Sequence, residues 1–195
     1  MGRMERILEG IRTGSQPELS RYCYEIITHW KDIPVTPLLS LKDQLAKIGL
    51  EQREAVLQEA LISVALRRPG PFREITSKPS HPLWSAAAEI LSETGIPEDL
   101  DLLIGLIGHI PRKNLPDLVR AIGRFRTERA VEAISPYLLS EDESAAFEAT
   151  VALRDDGGRA ALTMLKEALR IIKASGGGRP VMLEAIVRDM ERKAS

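Results

Sequence analysis

Six apolar columns recur every 31 residues in the second half of this chain. Trp84, Leu115 and Ala146 align, as do Ala87, Leu118 and Ala149, then Leu91, Ile122 and Leu153. Leu100, Val131 and Leu162 follow, then Leu103, Ile134 and Leu165, then Ile107, Leu138 and Leu169. Inside each unit the spacing is i, i+3, i+7, an interruption, and i, i+3, i+7 again. That pattern is one apolar helix face, a turn and a second apolar helix face. Of the 24 columns from 84 to 107, nine are apolar in all three copies. At 44% apolar residues, chance gives about two. A period near 30 with two helices per unit predicts an all-α fold, an α-solenoid in which each unit buries its face on the next.

Helix ends carry their own signals. Ser15-Gln16-Pro17-Glu18 and Ser140-Glu141-Asp142-Glu143 read as capping boxes. Asn114 is placed as an N-cap, and Thr36-Pro37 and Arg179-Pro180 put proline in a first turn. Gly95 and Gly157-Gly158 mark stops. These cues predict about eleven helices: 3–13, 16–30, 36–49, 51–68, 82–94, 97–109, 114–126, 128–139, 142–155, 158–174 and 179–193. Residues 1–81 are expected to hold divergent repeats, with 68–82 a loop in place of a degraded helix. Residues 82–174 hold the regular repeats, Ser175–Gly178 a flexible joint, and 179–193 a polar capping helix. The whole of 1–195 is expected to form one continuous array. The stripe of Met4, Ile7, Leu8 and Ile11 fits either a cap at the other end or a docking helix.

Residues 84–170 resemble bacterial HEAT-like repeats, in particular the short armadillo-like form named after phycobilisome lyases. The matching pieces are Ala121-Ile122-Gly123 before Arg129-Ala130-Val131-Glu132-Ala133-Ile134, and Ala152-Leu153 before Gly157-Gly158-Arg159-Ala160-Ala161-Leu162. The resemblance implies a right-handed α-α superhelix used as a scaffold or adaptor for protein–protein contact. It also brings two enzymatic alternatives: a chromophore lyase, and a DNA-binding or repair protein similar to HEAT-like alkylpurine glycosylases. The His-Glu iron pattern of HEAT-repeat deoxyhypusine hydroxylases is absent.

Composition narrows the chemistry. The net charge of −1 supplies no global field for nucleic acid, and no apolar run reaches membrane-spanning length, so no membrane insertion is expected. The first residues lack a secretory pattern, and the single Cys23 fits a reducing cytoplasm. His29, His81 and His109 have no ligand-spaced neighbours, so neither metal nor cofactor is expected. Gly176-Gly177-Gly178-Arg179 lacks the ending of a phosphate loop, and no catalytic constellation is found.

The candidate site comes from helical geometry. With columns 84, 87 and 91 facing the core, columns 85, 89 and 93 lie opposite. They hold Ser85, Glu89 and Glu93, then Pro116, Arg120 and Arg124, then Phe147, Val151 and Asp155. Side by side on a concave surface, these rows would present acids, arginines and an apolar pair to a protein partner. The plainer readings are a solvated charged face and a Phe147 that leans into its neighbour. The Arg120, Arg124, Arg126 strip is flanked by Glu89, Glu93 and Asp155, so nucleic acid is not the expected partner. Partner identity and oligomeric state have no sequence signature.

Overall fold

Helices account for all the regular structure among the described residues, 2–175 and 180–194, of this computed structural model. They are α1 Arg3–Thr13, α2 Gln16–Thr28, α3 Val35–Lys47, α4 Glu51–Arg67, α5 Gly70–Thr76 and α6 Trp84–Ser92. Then follow α7 Pro97–Gly105, α8 Leu115–Gly123, α9 Glu128–Ile134, α10 Glu143–Asp156, α11 Arg159–Ala174 and α12 Pro180–Ala194. The fold class is all-α, with twelve α-helices among the described residues where eleven were expected.

The extra helix is α5, inside the stretch expected to be a loop. Pro69 and Pro71 stand at its start, where a missing N–H costs nothing. Phe72 and Ile75 are buried, and the Trp84 indole donates to the Thr76 carbonyl at 2.7 Å, fixing α5 to α6. Elsewhere the boundaries are tighter than expected. α7 ends at Gly105 and α8 at Gly123, while Pro136 turns the end of the 128–139 helix into a 3-10 segment, Ser135–Leu139. The cap of α10 is Asp142, not Ser140. Its carboxylate accepts from the Ser144 and Ala145 amides at 3.1 and 3.0 Å, a charged cap that the helix dipole favours. Asn114 ends a 3-10 turn in helical backbone and makes no side-chain capping bond. The Ser15 expectation holds: the Glu18 carboxylate accepts from the Ser15 amide at 2.7 Å and hydroxyl at 2.8 Å. The joint expected at 175–178 lies, beyond Ser175, outside the described residues, as does Arg179.

Of the eighteen residues in the six columns, fourteen are buried and four half-buried. The chain divides into two compact units, up to Leu102 and from Leu103 onward. In the first, α1 packs on α3, α2 on α4, and α4 on α6. Arg53, near the start of α4, donates to the Ile11 and Gly14 carbonyls just before α2, at 2.7 and 2.5 Å. At the other end Arg67 donates to the Ile27 carbonyl at 3.1 Å and Arg68 to that of Lys31 at 2.9 Å. α2 and α4 therefore run parallel; Arg53 and Arg67 satisfy carbonyls that helix ends leave open, and Arg68 one in the turn that follows α2. Two part-buried ion networks complete this unit. Lys42 Nζ lies 2.6 Å from both Glu54 and Glu89. The fully buried Asp99 accepts from Arg73 at 2.5 Å and from the Thr94 hydroxyl at 2.9 Å.

In the second unit α8 packs on α10, α9 on α11, and α12 on both α10 and α11. The α8–α10 crossing is close because Gly123 lacks a side chain. A Cβ there would stand 2.3 Å from the Cβ of Ala152.

Candidate functional site

α10 separates two clefts in the second unit, and the outward residues of the repeat are divided between them. On one side Arg120, Arg124 and Arg126 share a cleft of about 210 Å³ with Val151, Glu148 and Asp155. Its charges are interleaved. Arg120 pairs with Asp117 and stands 3.7 Å from Glu148, and Asp155 accepts from Arg154 at 2.8 Å. Arg126 has a left-handed backbone, φ 50°, between the end of α8 and the Thr127 cap of α9, a conformation that disfavours a side chain.

On the other side lies a larger cleft of about 570 Å³. Its walls are α10, α12 and the end of α11, with Leu138 of the preceding 3-10 segment at its base. Phe147 opens into it at 49% exposure, facing Val181 at 78% and Met182 at 45%. α12 buries Leu183, Val187 and Met190. Its apolar surface is wider than that one stripe, and the surplus at its first turn forms the cleft's second wall. Glu143 and Glu148 border the α10 wall.

The expected rows are thus placed as follows. Phe147 and Val151, four residues apart on α10, open into different clefts. Arg120, Arg124, Val151 and Asp155 come together in the smaller one. Glu89 and Glu93 belong to the first unit. The Glu89 carboxylate is engaged by Lys42, and exposed Glu93 stands at the C-cap of α6. Leu138 is expected only as a core column, and Ile172, Val181 and Met182 carry no expectation. A usable signal was present: Val181-Met182-Leu183 is an apolar run too wide for one helix contact.

The titratable groups show little that would serve chemistry. Burial, with a smaller contribution from the Glu59 charge, pushes the Cys23 thiol up to about 11, the opposite of an activated nucleophile. Among the described residues, no group of three or more His, Cys, Asp or Glu side chains is placed to hold a metal ion. Nor is any helix long and apolar enough to cross a membrane.

What this geometry defines is an all-α protein with an apolar cleft beside a mixed-charge one. No protein-family model matches the chain, and no curated protein matches it.

Proposed function

We propose that the chain is a non-catalytic α-solenoid of HEAT-like helix pairs that docks a protein partner in the manner of a scaffold or adaptor. The 31-residue repeat supports this, as does the packing of α8 on α10 and α9 on α11, first helix on first and second on second. One continuous superhelix over 1–195 and a cytoplasmic setting belong to the same proposal.

The observation that carries it is the cleft between α10 and α12. Phe147, Val181 and Met182 leave a cluster of large apolar side chains facing solvent, and contiguous exposed apolar surface is characteristic of recognition sites. The arginine cleft speaks against a DNA-repair role, because Glu148 and Asp155 stand among its cations while phosphate binding gains from cations left uncompensated.

The test compares wild type with Phe147→Asp in quantitative affinity purification from the native host. The same partner proteins should be lost from the variant, while its helical content and melting temperature stay close to wild type. Identical partner sets would overturn the docking site. Salt-dependent DNA binding, or turnover of a small molecule by the purified chain, would overturn the non-catalytic assignment.

A further inference from the structure

The turn that joins the two helices of a repeat unit occurs three times, with α7, α9 and α11 starting at Pro97, Glu128 and Arg159. Two positions before each start, in one column of the repeat, the backbone is left-handed: Gly95 at φ 67°, Arg126 at φ 50° and Gly157 at φ 68°. The turn therefore requires this conformation at this column. Glycine adopts it without a clash, whereas a Cβ crowds the following carbonyl. Arg126 is the one non-glycine residue with positive φ among the described residues. Nothing in the fold offsets that cost. The Arg126 side chain is exposed, and its amide donates to the Gly123 carbonyl at 3.2 Å, a bond that glycine would make as well. Among the described residues, no hydrogen bond or ion pair engages its guanidinium. Its charged neighbours in the smaller cleft differ in this respect. Arg120 is engaged by Asp117 and Glu148, Asp155 by Arg154, and Arg124 also has a partner. A strained backbone position kept for a side chain that the fold leaves idle points to recognition. A guanidinium grips a carboxylate or a phosphate through two parallel hydrogen bonds. Glu148 and Asp155 stand in the same cleft, so a run of phosphates, in nucleic acid or on a membrane, would meet like charges there. A single carboxylate can be placed clear of them.

We infer that Arg126 is a recognition residue, whose guanidinium takes an Asp or Glu carboxylate of a protein partner at the cleft between α8 and α10. This rests on the docking role proposed above but on a different cleft, so the two fail separately.

Arg126→Gly in the full chain tests both halves of the argument. In urea unfolding the glycine variant should be the more stable, its folding equilibrium constant raised about three-fold or more. A variant no more stable than wild type would mean that the arginine serves the fold, and would overturn the inference. For binding, the wild-type chain selects from a random sixteen-residue phage-displayed peptide library, with Arg126→Gly as counter-target. Recovered peptides are synthesised and measured by fluorescence polarisation. They should share an Asp or Glu. Replacing that acid by Asn or Gln, or Arg126 by Gly, should each weaken binding about ten-fold, and the two losses should not add. Arg126→Lys should weaken it about three-fold, because an ammonium lacks the fork. A library that yields no Arg126-dependent peptide, or only peptides whose acid can be replaced without loss, overturns the inference. Peptides that need Phe147 and ignore Arg126→Gly overturn it while leaving docking intact. Peptides that need Arg126 and ignore Phe147→Asp support it even if the Phe147 cleft fails. Binding of a poly(dT) oligonucleotide or of phosphatidylserine vesicles, lost in Arg126→Gly, would make phosphate the ligand and overturn the carboxylate assignment.

Discussion

Lys42 is 4% exposed, yet its ammonium is held between two carboxylates, each 2.6 Å away. Without it, Glu54 and Glu89 would lie close together with only partial access to water to screen them. Breaking a fully buried ion network costs about 3–5 kcal/mol. Glu89 is 32% exposed, so Lys42→Met should cost less, about 2–3 kcal/mol in urea unfolding. Adding Glu54→Gln and Glu89→Gln to Lys42→Met should recover most of that loss. An additive or larger loss in the triple variant would mean that the carboxylates do not depend on Lys42. Cys23 gives a second prediction at this scale. Its thiol is raised from an ordinary 9.0 to about 11, so the native chain at pH 8 should react with Ellman's reagent about 100-fold more slowly than the unfolded chain. The sign for stability follows. Because the folded state holds the thiol proton more tightly, the contribution is complete below pH 9.0 and is lost as pH rises toward about 11. A Cys23→Ala variant should lack that alkaline loss, which chemical unfolding at pH 8 and pH 10.5 would reveal.

Glycines at helix crossings make the elements testable. At Gly10 in α1, an added Cβ would meet the Tyr22 ring at 1.8 Å, and at Gly123 it would meet Ala152 at 2.3 Å. Gly105, at the end of α7, has nothing within 4 Å. Helix propensity alone makes all three alanine substitutions favourable by up to about 1 kcal/mol. Packing reverses the sign at the first two. Gly10→Ala and Gly123→Ala should each lower stability by about 1–3 kcal/mol, while Gly105→Ala should be neutral or slightly stabilising; three thermal melts decide it. The elements themselves were legible where a local signal coincided with periodicity. Glu18 binds Ser15 as its capping box predicts, and every column residue from Trp84 to Leu169 is at least half-buried. α5 was illegible because Pro69, Gly70 and Pro71 read as breakers, although prolines at a helix start are tolerated and Phe72 anchors the turn that follows. The candidate site was half legible. Phe147 follows from its angle to the core columns, but Val181 lies 34 residues further on, across a helix–helix contact that no period encodes. The Lys42–Glu89 pair spans 47 residues, and a charge on an outward column does not disclose a partner that far upstream.

How far a local loss of packing spreads along the chain distinguishes a solenoid from a single cooperative core. In a stack of nearest-neighbour units, stability is a sum of unit and interface contributions, and a cavity is felt mainly by adjacent helices. In one shared core it lowers protection everywhere. Leu153 on α10 and Leu61 on α4 are both fully buried, one in each compact unit. Truncating either to alanine removes about 2–5 kcal/mol of transfer and cavity energy. Hydrogen exchange read by mass spectrometry then reports where that energy was held. Under the solenoid proposal, Leu153→Ala should speed exchange in α8 to α12, strongest where α10 packs on α8, and leave α1 to α4 near their wild-type rates. Leu61→Ala should do the reverse, loosening α2, α4 and α6 while α10 to α12 keep their protection. Equal acceleration of all amides by either variant would mean that the chain opens as one body, and the repeat would then describe helix register alone.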